Sequence, residues 1–276
     1  MNDSIIKHKA RWVVKEFEQH YNIDYSKTYA SVVKSSIYRV TFTIAACYNY
    51  YLEQLNVKTV FLNRKLNETV FVTQLTDYIK EIFMCCFNKT FYELKQSSRV
   101  WYKTLHTFLT DLGFECLISD ISVFRHSDLL VFIYVDDILL LSFSMKVIDG
   151  LKWKLSKTYE MINCKLCQHY LSIKISWDQL QWALTISQKT YLKRVLNHFK
   201  FSDLRSVVTS MKQDLDLKAS ENCADVSFIK QYQSAVKFLM YAMTQTHLNI
   251  AYSISVLSQF SHNLNIMHWN VLKHIF

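Results

Sequence analysis

Residues 129–143 read Leu-Leu-Val-Phe-Ile-Tyr-Val-Asp-Asp-Ile-Leu-Leu-Leu-Ser-Phe, two apolar runs around a pair of acids. Short apolar runs flanking turn-forming aspartates predict a β-hairpin with Tyr134-Val135-Asp136-Asp137 at its tip. The stretch is too short for a membrane helix, which needs about 20 apolar residues, and it is charged at its middle. Elsewhere the periods differ. Residues 37–51 repeat apolar positions at helical spacing through Val40, Ile44, Ala45 and Tyr48, whereas residues 52–60 alternate, with Leu55 and Val57 on one face and Asn56 on the other. Helical spacing returns over 97–112, through Val100, Trp101, Leu105, Phe108 and Leu112, and again over 146–159. Short strands are predicted at 170–175 and 182–186, then helices at 188–199 and 232–260, the last broken near Thr246. The chain is therefore of mixed α and β class, which admits an enzyme and a binding domain alike.

Half of the 276 residues are hydrophobic, enough to bury a substantial core. The net charge of +9, from 32 Lys and Arg against 23 Asp and Glu, favours a polyanionic partner such as nucleic acid. A solvated basic surface accounts for the same number. Cys164 and Cys167 form the only C-x-x-C pair and have no second pair for zinc, so the seven cysteines read as thiols in a reducing intracellular compartment, cytoplasmic or nuclear. The first residues carry charge without an apolar run, so no signal peptide is expected.

Two Gly and no Pro in the whole chain change the picture more. Average usage is about 7% and about 5%, and these residues supply the positive φ and fixed φ of tight turns. Their removal points to a process indifferent to folding.

Two adjacent carboxylates between apolar strands are costly unless compensated, and a divalent metal compensates them. Paired metals held by carboxylates are what nucleotidyl transfer uses, one at the attacking 3′-hydroxyl and one at the triphosphate. Taken alone, a solvated Asp-Asp turn is the simpler account. The surrounding segments reverse that preference.

Lys9-Ala10-Arg11, the run from Gln54 through Leu55, Asn56, Val57, Lys58, Thr59, Val60, Phe61 and Leu62 to Asn63, Leu94-Lys95-Gln96-Ser97-Ser98-Arg99-Val100-Trp101-Tyr102 and Tyr134-Val135-Asp136-Asp137-Ile138-Leu139 resemble, in order and spacing, the reverse transcriptase domain of Ty1/copia retrotransposon polyproteins. Ile23-Asp24-Tyr25, Leu239-Met240-Tyr241 and Ile250-Ala251-Tyr252 extend the resemblance over essentially the whole chain. It implies an α+β, right-hand polymerase-like fold with fingers, an antiparallel palm sheet and flanking helices. It also implies an RNA or DNA template-primer, deoxynucleotide substrates and two Mg²⁺ ions, with no membrane partner. By position, Asp136 and Asp137 match metal-ligand aspartates and Phe61 the residue that excludes a ribose 2′-hydroxyl. Arg11 matches a basic residue on the triphosphate, and Gln96 lies in the motif that braces nucleotide and template. Without the family order, Phe61 reads as core, Arg11 as surface charge and Gln96 as a helix-surface amide.

Asn56 stands where the resemblance implies the first metal aspartate. An amide offers a neutral oxygen and supplies no charge to hold two cations beside a triphosphate, a loss on the order of 10³-fold or more in rate. The family's glycines are met by Glu16, Arg64, Glu93, Ser172 and Lys237, and its prolines by Ser31, Ser98, Leu248 and Leu264. Nearly all of these changes, Asp to Asn included, are C-to-T or G-to-A transitions, which one directional mutational process explains. At a positive-φ site such a change costs roughly 1 kcal/mol or more, against a typical total of about 5–15 kcal/mol.

Pattern change places a fingers and palm core at 1–145 and the remaining palm, thumb-like and connection region at 146–276, ending before a ribonuclease H domain. Three readings follow: a domain of polymerase ancestry without catalysis, a nucleic-acid-binding protein derived from the element, and an active polymerase in which Glu53 replaces the lost carboxylate. The third is disfavoured because residue 53 faces away from residue 56 on a strand.

Overall fold

A computed structural model describes residues 13–276 apart from 59, 64, 67, 75–77, 81–82, 206, 213–214, 216 and 221–223, and without the side chains of 62–63 and 163–165. Two compact units divide the chain, Met1–Cys167 and Gln168–Phe276. The break predicted at 145/146 falls inside the first unit, because the helix that follows it packs on the same sheet as the hairpin before it.

The first unit contains α1 (Ser35–Tyr48), β1 (Tyr51–Val57), β2 (Phe71–Val72), β3 (Cys85–Cys86), α2 (Ser97–Asp111), β4 (Glu115–Cys116), β5 (Val123–His126), β6 (Leu129–Tyr134), β7 (Asp137–Ser142), α3 (Met145–Thr158) and β8 (Met161–Leu166). Six strands form one antiparallel sheet in the order β4-β5-β6-β7-β1-β8, so the acidic hairpin β6-β7 lies beside β1 at the sheet's centre. Apolar residues fill both faces of this hairpin, as a sheet covered on both sides requires. On one face Leu55, Val57, Val131, Ile133, Ile138 and Leu140 share a core with Trp101, Leu105 and Leu109 of α2 and Ile148, Leu151 and Leu155 of α3. The apolar stripes of the two helices, spaced three and four residues apart, supply that cover. Glu53 is the acid on this face, buried and paired with Lys152 of α3.

The second unit contains β9 (His169–Tyr170), β10 (Ile173–Asp178), β11 (Ala183–Ser187), α4 (Lys189–His198), α5 (Val226–Gln245), α6 (Ala251–Ser258) and α7 (Ile266–Ile275). Its three-stranded sheet runs β11-β10-β9, and its core joins Tyr191, Val195, Tyr232, Leu239, Ile254 and Leu272 from the four helices. The predicted break near Thr246 is present between α5 and α6. β8 and α7 escaped the pattern reading. β8 carries Asn and Lys in place of clean alternation, and α7 is opened by an Asn265–His268 capping box.

The positions where the resemblance implies glycine or proline differ in their setting. Glu93 and Ser172 sit at φ 65°, in the left-handed region that a side chain disfavours. Lys237 stands inside α5, a regular helix. Ser98 is in the first turn of α2 and Leu248 opens a 3₁₀ turn, both positions where proline's fixed φ would fit. Arg64 lies outside the described residues.

Candidate functional site

Antiparallel register sets the site. Tyr134 pairs with Asp137 across β6 and β7, and Asp137 pairs with Asn56 across β7 and β1. Because side chains alternate, Tyr134, Asp137, Asn56 and Gln54 all project from the face opposite the core shared with α2 and α3. All four are at least partly buried at one end of the sheet.

Only Val135 and Asp136 connect β6 to β7. Val135 has φ 53°, the positive value that the first central residue of a type II′ turn requires and that a β-branched side chain resists. Neighbours hold it there. The buried Trp101 indole N–H donates to the Val135 carbonyl at 2.7 Å, and the Val57 amide N–H donates to the Asp136 carbonyl at 3.0 Å. Helix α2 and the end of β1 thus fix the turn that carries both aspartates.

The Asn56 side-chain amide donates to Asp137 Oδ1 at 3.0 Å, and the Gln54 amide donates to the same oxygen at 3.0 Å. The Cys167 thiol meets Gln54 Oε1 at 3.6 Å. Asp137 therefore faces two neutral donors on one oxygen. No motif marks Gln54, although its place two residues before Asn56 puts it on the same strand face.

Glu53 faces the other way and is engaged by Lys152, so it does not join the row. Phe61 follows β1 in a 3₁₀ turn (Val60–Asn63), packs edge-on against Tyr92 at 5.2 Å between ring centres, and has its carbonyl bound by the Thr90 hydroxyl. Gln96 is buried immediately before α2. Its Nε2 donates to the Asp24 carbonyl at 2.9 Å and its Oε1 accepts from Gln19 Nε2 at 3.2 Å, which ties the segment of Gln19 and Asp24 to the start of α2. Arg11 lies outside the described residues. Among the described residues, no three His, Cys, Asp or Glu side chains gather as a metal-holding group, and no helix is long and apolar enough to cross a membrane.

Residues 2–213 match the family described as reverse transcriptase (RNA-dependent DNA polymerase). The chain is 33% identical over 285 residues to the retrovirus-related Pol polyprotein from transposon TNT 1-94 of Nicotiana tabacum, a match covering 98% of this chain and 21% of the relative. It is 28% identical to the corresponding polyprotein from transposon RE2 of Arabidopsis thaliana, over 99% of this chain and 19% of the relative. With the transposon Ty1-NL2 Gag-Pol polyprotein of Saccharomyces cerevisiae it shares 24% identity over 67% of this chain and 11% of the relative. The chain spans about a fifth or less of the length of these relatives. An antiparallel sheet that presents Tyr134-Val135-Asp136-Asp137 beside residue 56, in a chain matched over most of its length, belongs to the reverse transcriptase family of Ty1/copia-type retrotransposon Pol polyproteins.

Proposed function

We propose that this chain is a reverse transcriptase-like domain, with fingers and palm, that engages template-primer but no longer performs nucleotidyl transfer. The observation that carries the reading is the row across β1 and β7, where Asn56 meets Asp137 as a hydrogen-bond donor and not as a second carboxylate. Members of the family depend on divalent metal, here taken as Mg²⁺, which when bound activates the 3′-hydroxyl and neutralises the triphosphate. Asp136 and Asp137 are the groups that would hold it. Two carboxylates and one amide lack the charge that a pair of ions beside a triphosphate requires, and one oxygen of Asp137 already accepts two amide hydrogen bonds. The donor set does not fit the two-ion arrangement.

Within this reading Phe61 guards the sugar position, Gln96 braces the start of α2 against the segment of Gln19 and Asp24, and Arg11, outside the described residues, keeps the triphosphate role that the resemblance implies. An intracellular site, cytoplasmic or nuclear, follows from the thiol-bearing, nucleic-acid-directed character of the chain. The active alternative built on Glu53 is set aside, because that carboxylate is buried against Lys152 on the other face. The non-catalytic nucleic-acid-binding alternative shares the binding half of the proposal.

Primer extension on an RNA template with Mg²⁺ or Mn²⁺, comparing the parent chain with Asn56→Asp, tests it. Extension by the Asn56→Asp chain alone is the expected result. Extension by the parent chain overturns the loss of catalysis, and silence from both, with intact circular dichroism, overturns Asn56 as its cause.

A further inference from the structure

β2 and β3 stand outside the six-stranded sheet and, among the described residues, pair only with each other. The base of this ribbon is anchored, since Phe87 stacks on Phe91 and both pack against Leu66, Val70 and Leu94. Its far end is bare. Phe71, Val72, Ile79, Phe83 and Met84 line one open concavity of about 440 Å³, and Phe71, Ile79, Phe83 and Met84 are each 56–72% exposed. Gln74 braces the connection between the strands. Its Oε1 accepts from the Lys80 backbone N–H at 2.8 Å, and its Nε2 donates to the Lys80 carbonyl at 3.1 Å and to the Phe83 carbonyl.

Single apolar residues on a surface need no explanation, whereas a contiguous patch does. At about 200 Å² per large side chain, these four expose roughly 500 Å² between them. The edge of β3 and its exposed thiols, Cys85 and Cys86, extend that area toward the about 800 Å² per partner of a stable interface. The edge is also open to pairing. The Phe87 amide N–H donates to the Val70 carbonyl at 3.0 Å, so the alternation of an antiparallel ladder turns the backbone N–H and C=O of Met84 and Cys86 away from β2. Residues 83–88, Phe-Met-Cys-Cys-Phe-Asn, carry no charge. Across a two-fold axis a charge near the centre would meet its own copy, and this segment has none to oppose. The outer strands of the six-stranded sheet do carry charge, Glu115 in β4 and Lys165 in β8, of the kind that blunts an edge.

We propose that a second copy of this chain occupies the ribbon, β3 pairing antiparallel with its counterpart about a two-fold axis at Cys85. In that register Met84 exchanges backbone hydrogen bonds with the second copy's Cys86, and Phe83 faces the second copy's Phe87. The two copies of Cys85 form the non-hydrogen-bonded pair at the axis, with Cα atoms about 4.5 Å apart, inside the disulfide range of about 4.4–6.8 Å. Such pairing uses the same patch on both chains and closes at two. It holds whether or not nucleotidyl transfer is lost.

The test is sedimentation velocity on the whole chain in reductant from about 1 to about 100 μM, the range in which a modest interface associates. A monomer–dimer equilibrium is expected. Cys85→Lys sets two ammonium groups face to face at the axis and should weaken dimerisation more than about tenfold, as should Cys85→Glu, while an equimolar mixture of the two should restore it. Leu180→Lys, which puts the same charge at an exposed apolar position of the second unit, should leave it unchanged. On non-reducing gels, diamide should cross-link the parent and Cys86→Ser into covalent dimers but not Cys85→Ser. A parent that stays monomeric throughout overturns the proposal, as does assembly beyond two chains. So does a dimer that Cys85→Lys leaves intact, a Lys and Glu mixture that stays monomeric while both variants keep the parent's circular dichroism, or a cross-link that survives Cys85→Ser.

Discussion

Replacing Asn56 by Asp would put a carboxylate directly across from Asp137, and the structure sets what that does to stability. The Asn56 amide nitrogen lies 3.0 Å from Asp137 Oδ1, so the substitution puts two carboxylate oxygens at that spacing before any relaxation. With the two charges relaxed to about 5 Å and an effective dielectric of about 20, their repulsion is about 3 kcal/mol. The donated hydrogen bond to a charged acceptor, about 1.5–3 kcal/mol, is lost too, which brings the total to about 5–6 kcal/mol in the absence of metal. For a unit of this size that is a fall of roughly 10–20 °C in melting temperature. Lowering the pH should relieve it, because one carboxyl of the pair is held protonated more readily in the folded state than in the unfolded chain. Saturating Mg²⁺ should return about 2.7 kcal/mol at 100 times the dissociation constant. Asn56→Leu, which removes the donor without adding charge, should lose only about 1–3 kcal/mol and gain nothing from Mg²⁺. Thermal melting in chelator and in Mg²⁺, at pH 7 and pH 5, reads all of this. An Asn56→Asp chain as stable as the parent in chelator and indifferent to Mg²⁺ would refute the cross-strand geometry on which the site is built.

Three further outcomes are expected. Glu93→Gly should raise stability by about 1 kcal/mol in urea unfolding, since Glu93 sits at φ 65° where glycine is unstrained. Lys152→Met should cost about 3–5 kcal/mol by stranding the buried Glu53, whereas Glu53→Gln/Lys152→Met should cost less than Lys152→Met alone, a difference that denaturant midpoints will show. Burial holds the imidazole of His268 below its ordinary range while its Nδ1 accepts the Asn265 backbone N–H, so the folded state keeps it neutral when the unfolded chain takes up a proton. The stability of the second unit is therefore full above about pH 6.5 and falls as the pH drops below it, and His268→Leu should flatten that dependence in circular dichroism melts.

The site was more legible in the sequence than the units around it. Apolar runs on either side of Asp136 and Asp137 announced the hairpin, and alternation through Leu55, Asn56 and Val57 gave β1 its two faces, so the pairing of residue 56 with the acidic turn followed once the sheet closed. The same alternation placed Glu53 away from Asn56, where it is found. What no local pattern carries is the partner of each amide. Gln54 shares Asp137 with Asn56 only because register aligns them, and Trp101 reaches the Val135 carbonyl from a helix 34 residues away in the chain. The division between the units was equally hidden, because α3 follows the hairpin after a short turn and owes its place to long-range packing on the sheet.

Lys237, where the resemblance implies a glycine, bears on how such replacements would add up. Within α5 a glycine is a liability, and lysine in its stead favours the helix by nearly 1 kcal/mol, about what Glu93 forfeits at its left-handed turn. Side chains in place of glycine therefore have opposite effects by setting, adding order to a helix at Lys237 and straining the left-handed corner at Glu93. A fold nearly without glycine can thus draw part of its cost at the corners back from its helices, whereas an amide in a carboxylate's place on a strand has no such offset.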